Sequence, residues 1–240
     1  MNIAAAKLFS QVILAEKTVR IKLLGDSITH GVGGTGFAQN GEPITDGFSR
    51  NPGGHCWANM FKAYLESQYD CTVINNACTG TNIEFVIAHF DELVDVEDDI
   101  VICMIGTNNR HQHFWDGPKR ERRVHMELFY RNILALHEKF IKADKKVIFA
   151  ANIPATAEDE KDGGDYWRIM HMNDICDLYT KASLVCGFPL IRLYTSFLEY
   201  CEQQNISVAS LLPDGIHPSD DGHVVICRLM MKDLGIAPSV

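Results

Sequence analysis

Five residues of this chain have the types and the placement to carry out acyl transfer. Ser27 stands in Gly25-Asp26-Ser27-Ile28-Thr29 and Gly80 in Asn76-Ala77-Cys78-Thr79-Gly80. Asn108 stands in Gly106-Thr107-Asn108-Asn109, and Asp214 and His217 in Asp214-Gly215-Ile216-His217-Pro218. A serine hydroxyl becomes a nucleophile once a base takes its proton, and an imidazole backed by a carboxylate is such a base. Asp214 and His217, three residues apart in a turn held by a Gly and a Pro, can face one site. Gly80 can offer a backbone N–H that no side chain obstructs, and Asn108 can present an amide donor. Gly-Asp-Ser alone also occurs in ordinary turns, so the weight falls on where the four blocks lie.

Each block follows an element that could aim it. Apolar runs of strand length occur at residues 19–24, 72–75, 100–105, 147–151 and 190–193. They alternate with helical periods at 55–68, 121–142, 165–182 and 219–234. The run 100–105 is continuously apolar, as in a strand covered on both faces. Met126, Phe129, Ile133, Leu136 and Phe140 form a 3-4-3-4 core stripe. The alternation predicts one α/β domain with a parallel sheet over residues 1–240, carrying a helical extension at 1–17. In an open sheet of this kind the carboxyl ends of the strands share one edge, where ligands bind. The four blocks are therefore expected to converge on one crevice, with nucleophile, base, orienter and two donors together.

These blocks resemble the SGNH hydrolases, the GDSL-type esterase and lipase superfamily, through GDSIT at 25–29, Gly80, GTNN at 106–109 and DGIHP at 214–218. GTNN is closest to the platelet-activating-factor acetylhydrolase and carbohydrate acetyl esterase branches. The resemblance implies a flavodoxin-like three-layer α/β/α sandwich on a five-stranded parallel sheet. It implies Ser27, Asp214 and His217 as catalytic residues, and Ser27, Gly80 and Asn108 as the oxyanion hole. It implies a small acyl ester as substrate, with O-acetyl esters of carbohydrates or other alcohols foremost, and no cofactor. An acyltransferase on the same site and a lysophospholipase- or thioesterase-type lipase share this signature. A binding module without catalysis would be expected to have lost the Ser, Asp or His. Asn109 departs from the family's usual Asp at a position that is usually structural.

Composition narrows the classes further. At 46% apolar and 22% charged the chain is ordinary globular protein. Twenty-two basic against 31 acidic residues leave a net charge of −9, a poor footprint for nucleic acid. No apolar run approaches the ~20 residues of a membrane span. Eight cysteines without a C-x-x-C read as buried reduced thiols, and hence as a cytoplasmic protein. Residues 31–54 and 154–164 read as long loops bordering the site. Asp26, Arg110, His113 and Trp115 are candidate substrate contacts because they adjoin Ser27 or Asn108. Gly31 to Gly36 matches G-x-G-x-x-G, but it begins six residues past Gly25 and opens no helix, so no dinucleotide is expected. His111 and His113 have the spacing of metal ligands without supporting partners, so no metal is expected. The basic residues Lys119, Arg120, Arg122 and Arg123 read as a solvated face.

Overall fold

The computed structural model describes residues 2–15, 17–112, 117–161 and 167–236. Its strands are β1 (Val19–Gly25), β2 (Pro43–Thr45), β3 (Phe48–Ser49), β4 (Cys71–Asn75), β5 (Ile100–Met104), β6 (His111–Gln112), β7 (Lys146–Ala151), β8 (Trp167–Arg168) and β9 (Leu190–Arg192). Its helices are α1 (Ile3–Ile13), α2 (Ser27–His30), α3 (Trp57–Gln68), α4 (Ile83–Ala88), α5 (Phe90–Leu93), α6 (Arg122–Lys142), α7 (Met172–Cys186), α8 (Leu193–Gln204), α9 (Val208–Leu211) and α10 (Asp220–Asp233). A 3-10 turn spans Thr107–Arg110.

Five parallel strands form the central sheet in the order β4-β1-β5-β7-β9. This is the flavodoxin-like order, whose direction switches between β1 and β5. Period-two alternation divides the core. Ile21, Leu23, Ile100, Ile102 and Met104 pack with Phe9, Trp57, Phe61, Phe197 and Met230 on one face. Leu24, Val101, Cys103 and Phe149 pack with Ile83, Phe90, Phe129, Phe140 and Tyr179 on the other. With both faces covered, β5 is buried at every residue, which accounts for its unbroken apolar run. All eight cysteines are free, and seven of them are buried.

Both open edges of the sheet are bonded by side chains. Glu66 Oε1 accepts from the Val73 N–H at 2.8 Å, and Lys62 Nζ donates to the Val73 carbonyl at 2.7 Å, closing part of the β4 edge. At the far side the Asn2 amide, which also caps α1, donates to the Leu190 carbonyl.

One departure from apolar filling lies on β1. Lys22 is fully buried, 2.8 Å from Asp95 and 3.4 Å from Asp98, whose side chain is also fully buried. Taking one partner from a buried ion pair leaves an uncompensated charge. Asp98→Ala is therefore expected to cost about 3 kcal/mol of folding stability. Urea midpoints at pH 7 measure it, and a loss within error would show Asp95 alone sufficient for Lys22.

The expected helix over 165–182 is instead α7, starting at Met172. Residues 167–168 pair antiparallel with β6, and the Asp174 carboxylate accepts from the His171 N–H at 2.7 Å, fixing the start. Gly187, at φ 75°, ends it.

Candidate active site

β1 ends at Gly25, and the chain turns at once into α2. Asp26 caps that helix, its Oδ1 accepting from the Ile28 N–H at 3.2 Å. Ser27 thus becomes the first helical residue at the carboxyl end of the strand, only 5% exposed. Its backbone N–H belongs to the set that has no partner within a helix.

The loop after β4 carries Gly80 and the turn after β5 carries Asn108, and these strands flank β1. The two loops are tied across β1 by the Asn108 Nδ2 donating to the Thr81 carbonyl at 2.7 Å. That bond uses one amide hydrogen and leaves the second for another acceptor. Gly80 is exposed at φ 79°, a conformation that side chains resist.

The acid–base pair comes from the turn before α10. Asp214 Oδ1 accepts from the N–H groups of His217 at 2.7 Å and Ile216 at 3.0 Å, which folds the turn on itself. Asp214 Oδ2 lies 2.7 Å from His217 Nδ1, and His217 Nε2 lies 2.8 Å from Ser27 Oγ. An ionised carboxylate only accepts hydrogen bonds, so it selects the Nδ1–H tautomer and leaves Nε2 to receive the serine proton. Burial pushes the Asp214 carboxyl up, but the bonds from His217 and Ile216 outweigh it and hold the group below its ordinary value. Gly33 packs against this turn so closely that a Cβ there would overlap the Pro218 carbonyl oxygen. The glycine-rich run thus abuts the acid–base turn. It opens no helix, since α3 begins only at Trp57.

Two of the expected substrate contacts, Asp26 and Arg110, are buried and bonded within the protein. Asp26 is fully buried, and its Oδ2 accepts from the Thr107 N–H at 3.2 Å and from Asn152 Nδ2 at 3.1 Å. Burial pushes its carboxyl up, partly opposed by those bonds. It ties β1, the β5 turn and β7 together beneath Ser27. Arg110 is fully buried as well, with Nε donating to the Thr107 carbonyl at 3.1 Å and Nη1 to Asp159 Oδ2 at 2.7 Å. His113 and Trp115 lie outside the described residues.

Asn109 is buried, its Oδ1 accepting from the Ile83 N–H at 3.0 Å and its Nδ2 donating to Glu84 at 2.7 Å. An Asp here would set two carboxylates against each other. Asn152, which follows a strand as Ser27, Gly80 and Asn108 do, is a site residue that the motif reading omits. His30 is another. It sits one turn after Ser27 with Nδ1 2.8 Å from the Thr79 hydroxyl, beside Gly80. Among the described residues no cluster of His, Cys, Asp or Glu is arranged to hold a metal ion.

The profile of the GDSL-like lipase/acylhydrolase family matches residues 23–225 of this chain. No curated protein sequence matches it. Its fold is similar to that of LAE5, an alpha/beta hydrolase enzyme from the metagenome of Lake Arreo, Spain. That TM-score is 0.70 at 21% identity, covering 93% of this chain and 99% of that one. It is also similar to Axe2, an acetylxylan esterase from Geobacillus stearothermophilus, with TM-score 0.67 and 17% identity over 95% and 100%. For AlAXEase, an acetyl xylan esterase, the values are 0.64 and 17% over 89% and 98%.

Proposed function

Because the chain belongs to the GDSL-like lipase/acylhydrolase family, we propose that it hydrolyses small acyl esters through an acyl-enzyme on Ser27. The observation that carries this reading is the hydrogen-bonded line from Ser27 Oγ through His217 to Asp214 at the sheet's switch point. Ser27 Oγ attacks the ester carbonyl carbon while His217 Nε2 takes its proton. The N–H groups of Ser27 and Gly80 and the free amide hydrogen of Asn108 receive the developing oxyanion. The carbonyl–alkoxy bond then breaks, and His217 returns the proton to the leaving alcohol. Water, deprotonated by the same imidazole, releases the acid.

O-acetyl esters of carbohydrates are the proposed substrates. The support is the likeness in fold to two acetylxylan esterases, which are named for acting on such esters. Residues 1–240 act as one domain in this reading, since Phe9, Val12 and Ile13 of α1 share a core with Ile21 and Met230. No helix among the described residues is long and apolar enough to cross a membrane. Eight free thiols support a reducing, cytoplasmic setting.

A series of p-nitrophenyl esters from acetyl to octanoyl tests the substrate class. Turnover is expected to fall steeply after the shortest acyl groups. A maximum at octanoyl would replace the acetylesterase with a lipase. Turnover that depends on an added sugar acceptor, with negligible hydrolysis, would make the protein an acyltransferase.

The pH dependence follows from which group must be deprotonated. Asp214, held below the ordinary carboxylate range, stays ionised in weak acid. Activity is therefore expected to fall in acid, since the catalytic line works only with Asp214 ionised and Nε2 of His217 able to accept the serine proton. Stopped assays over an acid-to-neutral pH series measure it, and a flat profile would exclude this line as the proton path.

A further inference from the structure

We infer that Arg110 and Asp159 form a buried brace that positions the Asp214–His217 turn and couples it to the turn carrying Asn108. The inference rests on the ester-hydrolase reading above. Asp214 cannot hold the turn in place by its own burial, since its side chain is 55% exposed. The turn's backbone must be located from outside, and its neighbours supply that constraint.

Arg110 closes the 3-10 turn that carries Asn108 two residues earlier. Its guanidinium is fully buried, an arrangement tolerated only with good partners. Nε bonds back to the Thr107 carbonyl at 3.1 Å, which rigidifies that turn. Nη1 bonds Asp159 Oδ2 at 2.7 Å, while Arg168 Nη2 reaches Asp159 Oδ1 at 3.3 Å. The Arg110 carbonyl accepts from the N–H groups of Ile169 at 2.7 Å and Met170 at 3.2 Å. Turn, carboxylate and the β6–β8 ribbon thus form one block.

That block touches Gly215, the residue after Asp214. The Thr156 N–H donates to the Gly215 carbonyl at 2.9 Å, and the Asp159 N–H donates to Thr156 Oγ1 at 3.3 Å. A Cβ on Gly215 would lie 2.9 Å from Asp159 Cβ and 3.0 Å from Thr156 Oγ1, so the two segments are already in close contact. A shift of Asp159 is transmitted to the Asp214–His217 backbone, and through it to the imidazole facing Ser27. The same guanidinium fixes an oxyanion donor on one side and the base on the other.

The test is kinetic and spectroscopic, on the whole chain with p-nitrophenyl acetate. Asp159→Ala is expected to lower kcat by about 10- to 100-fold with KM unchanged, the effect of an ångström-scale misplacement. Asp159→Asn keeps an oxygen for Arg110 and is expected to fall between wild type and Ala. The low-field proton resonance of His217 Nδ1–H, recorded well below the melting temperature, is expected to shift or broaden in the same order. A folded Asp159→Ala with kcat within twofold of wild type and an unmoved resonance would overturn the brace. So would a rise in KM at constant kcat, which would make Asp159 a substrate contact. If the Ala variant does not fold, the isosteric Asn variant carries both readouts. The resonance needs no ester, and Ser27→Ala reports on the hydrolase reading itself, so failure of one is distinguishable from failure of the other.

Discussion

Ser27→Ala is expected to abolish ester hydrolysis, lowering kcat by on the order of 10^6-fold, the size of loss seen when a serine nucleophile is deleted. The Ser27 Oγ is the atom that His217 Nε2 faces at 2.8 Å, while the Thr107 hydroxyl is already engaged by Asn152. Stability should barely change. The hydroxyl makes one hydrogen bond, worth about 1 kcal/mol net, and its loss lowers the melting temperature by only ~2–4 °C in a chain of this size. Hydrolysis of p-nitrophenyl acetate beside a calorimetric melt reads both quantities. Wild-type turnover in the variant would remove Ser27 from the chemistry, whereas a collapse of the melt would make the loss one of folding.

Asp214→Asn is expected to cost about 10^3- to 10^4-fold in kcat with little change in KM, through the tautomer of His217. The Asn oxygen can replace Oδ1 beneath the N–H groups of Ile216 and His217. Its NH2 group then meets Nδ1 and forces that nitrogen to accept. The ring proton moves to Nε2, which can no longer receive the proton of Ser27. Rotating the amide repairs the tautomer but sets NH2 against two backbone N–H groups. Asp221→Asn, at an exposed position in the first turn of α10, serves as the control and should match wild type. A stability signature accompanies the kinetic one. Because the folded Asp214 carboxyl titrates below its unfolded value, its contribution is complete above the ordinary carboxylate pKa and is lost as pH falls through the folded one. The melting difference between wild type and Asp214→Asn should therefore be present at pH 7 and vanish in strong acid.

The four chemical blocks are legible in the sequence because each sits just past a strand or in the turn before the last helix. Parallel pairing brings those ends to one edge without any detail of packing. β5 and the stripe on α6 are equally plain, since burial on two faces and on one face leave different periods. The charged residues beside the blocks are misleading. Asp26 and Arg110 carry groups that ordinarily face water, yet their neighbours Asn152 and Asp159 are 126 and 49 residues away in the chain. No local pattern announces such a partner. The start of α7 is hidden for a related reason, because pairing of residues 167–168 with β6 overrides the helical period. α8 is different. Leu193, Phe197 and Cys201 are buried at four-residue spacing, a stripe the sequence does display beside a weak strand.

The side chains along the two outer strands have a consequence for self-association. An unpaired strand is a template on which a second chain can add, which is how many sheets begin to aggregate. Here Lys62 and Glu66 occupy the β4 template. Asn2, 188 residues from its partner, occupies the one at Leu190. The far side of the sheet is therefore shielded only when the first helix and the last strand have met. A molecule with α1 displaced would expose the Leu190 backbone together with the apolar seat of Phe9. Its first failure would then be adhesion to another copy at the edge remote from Ser27, with the catalytic groups still in place.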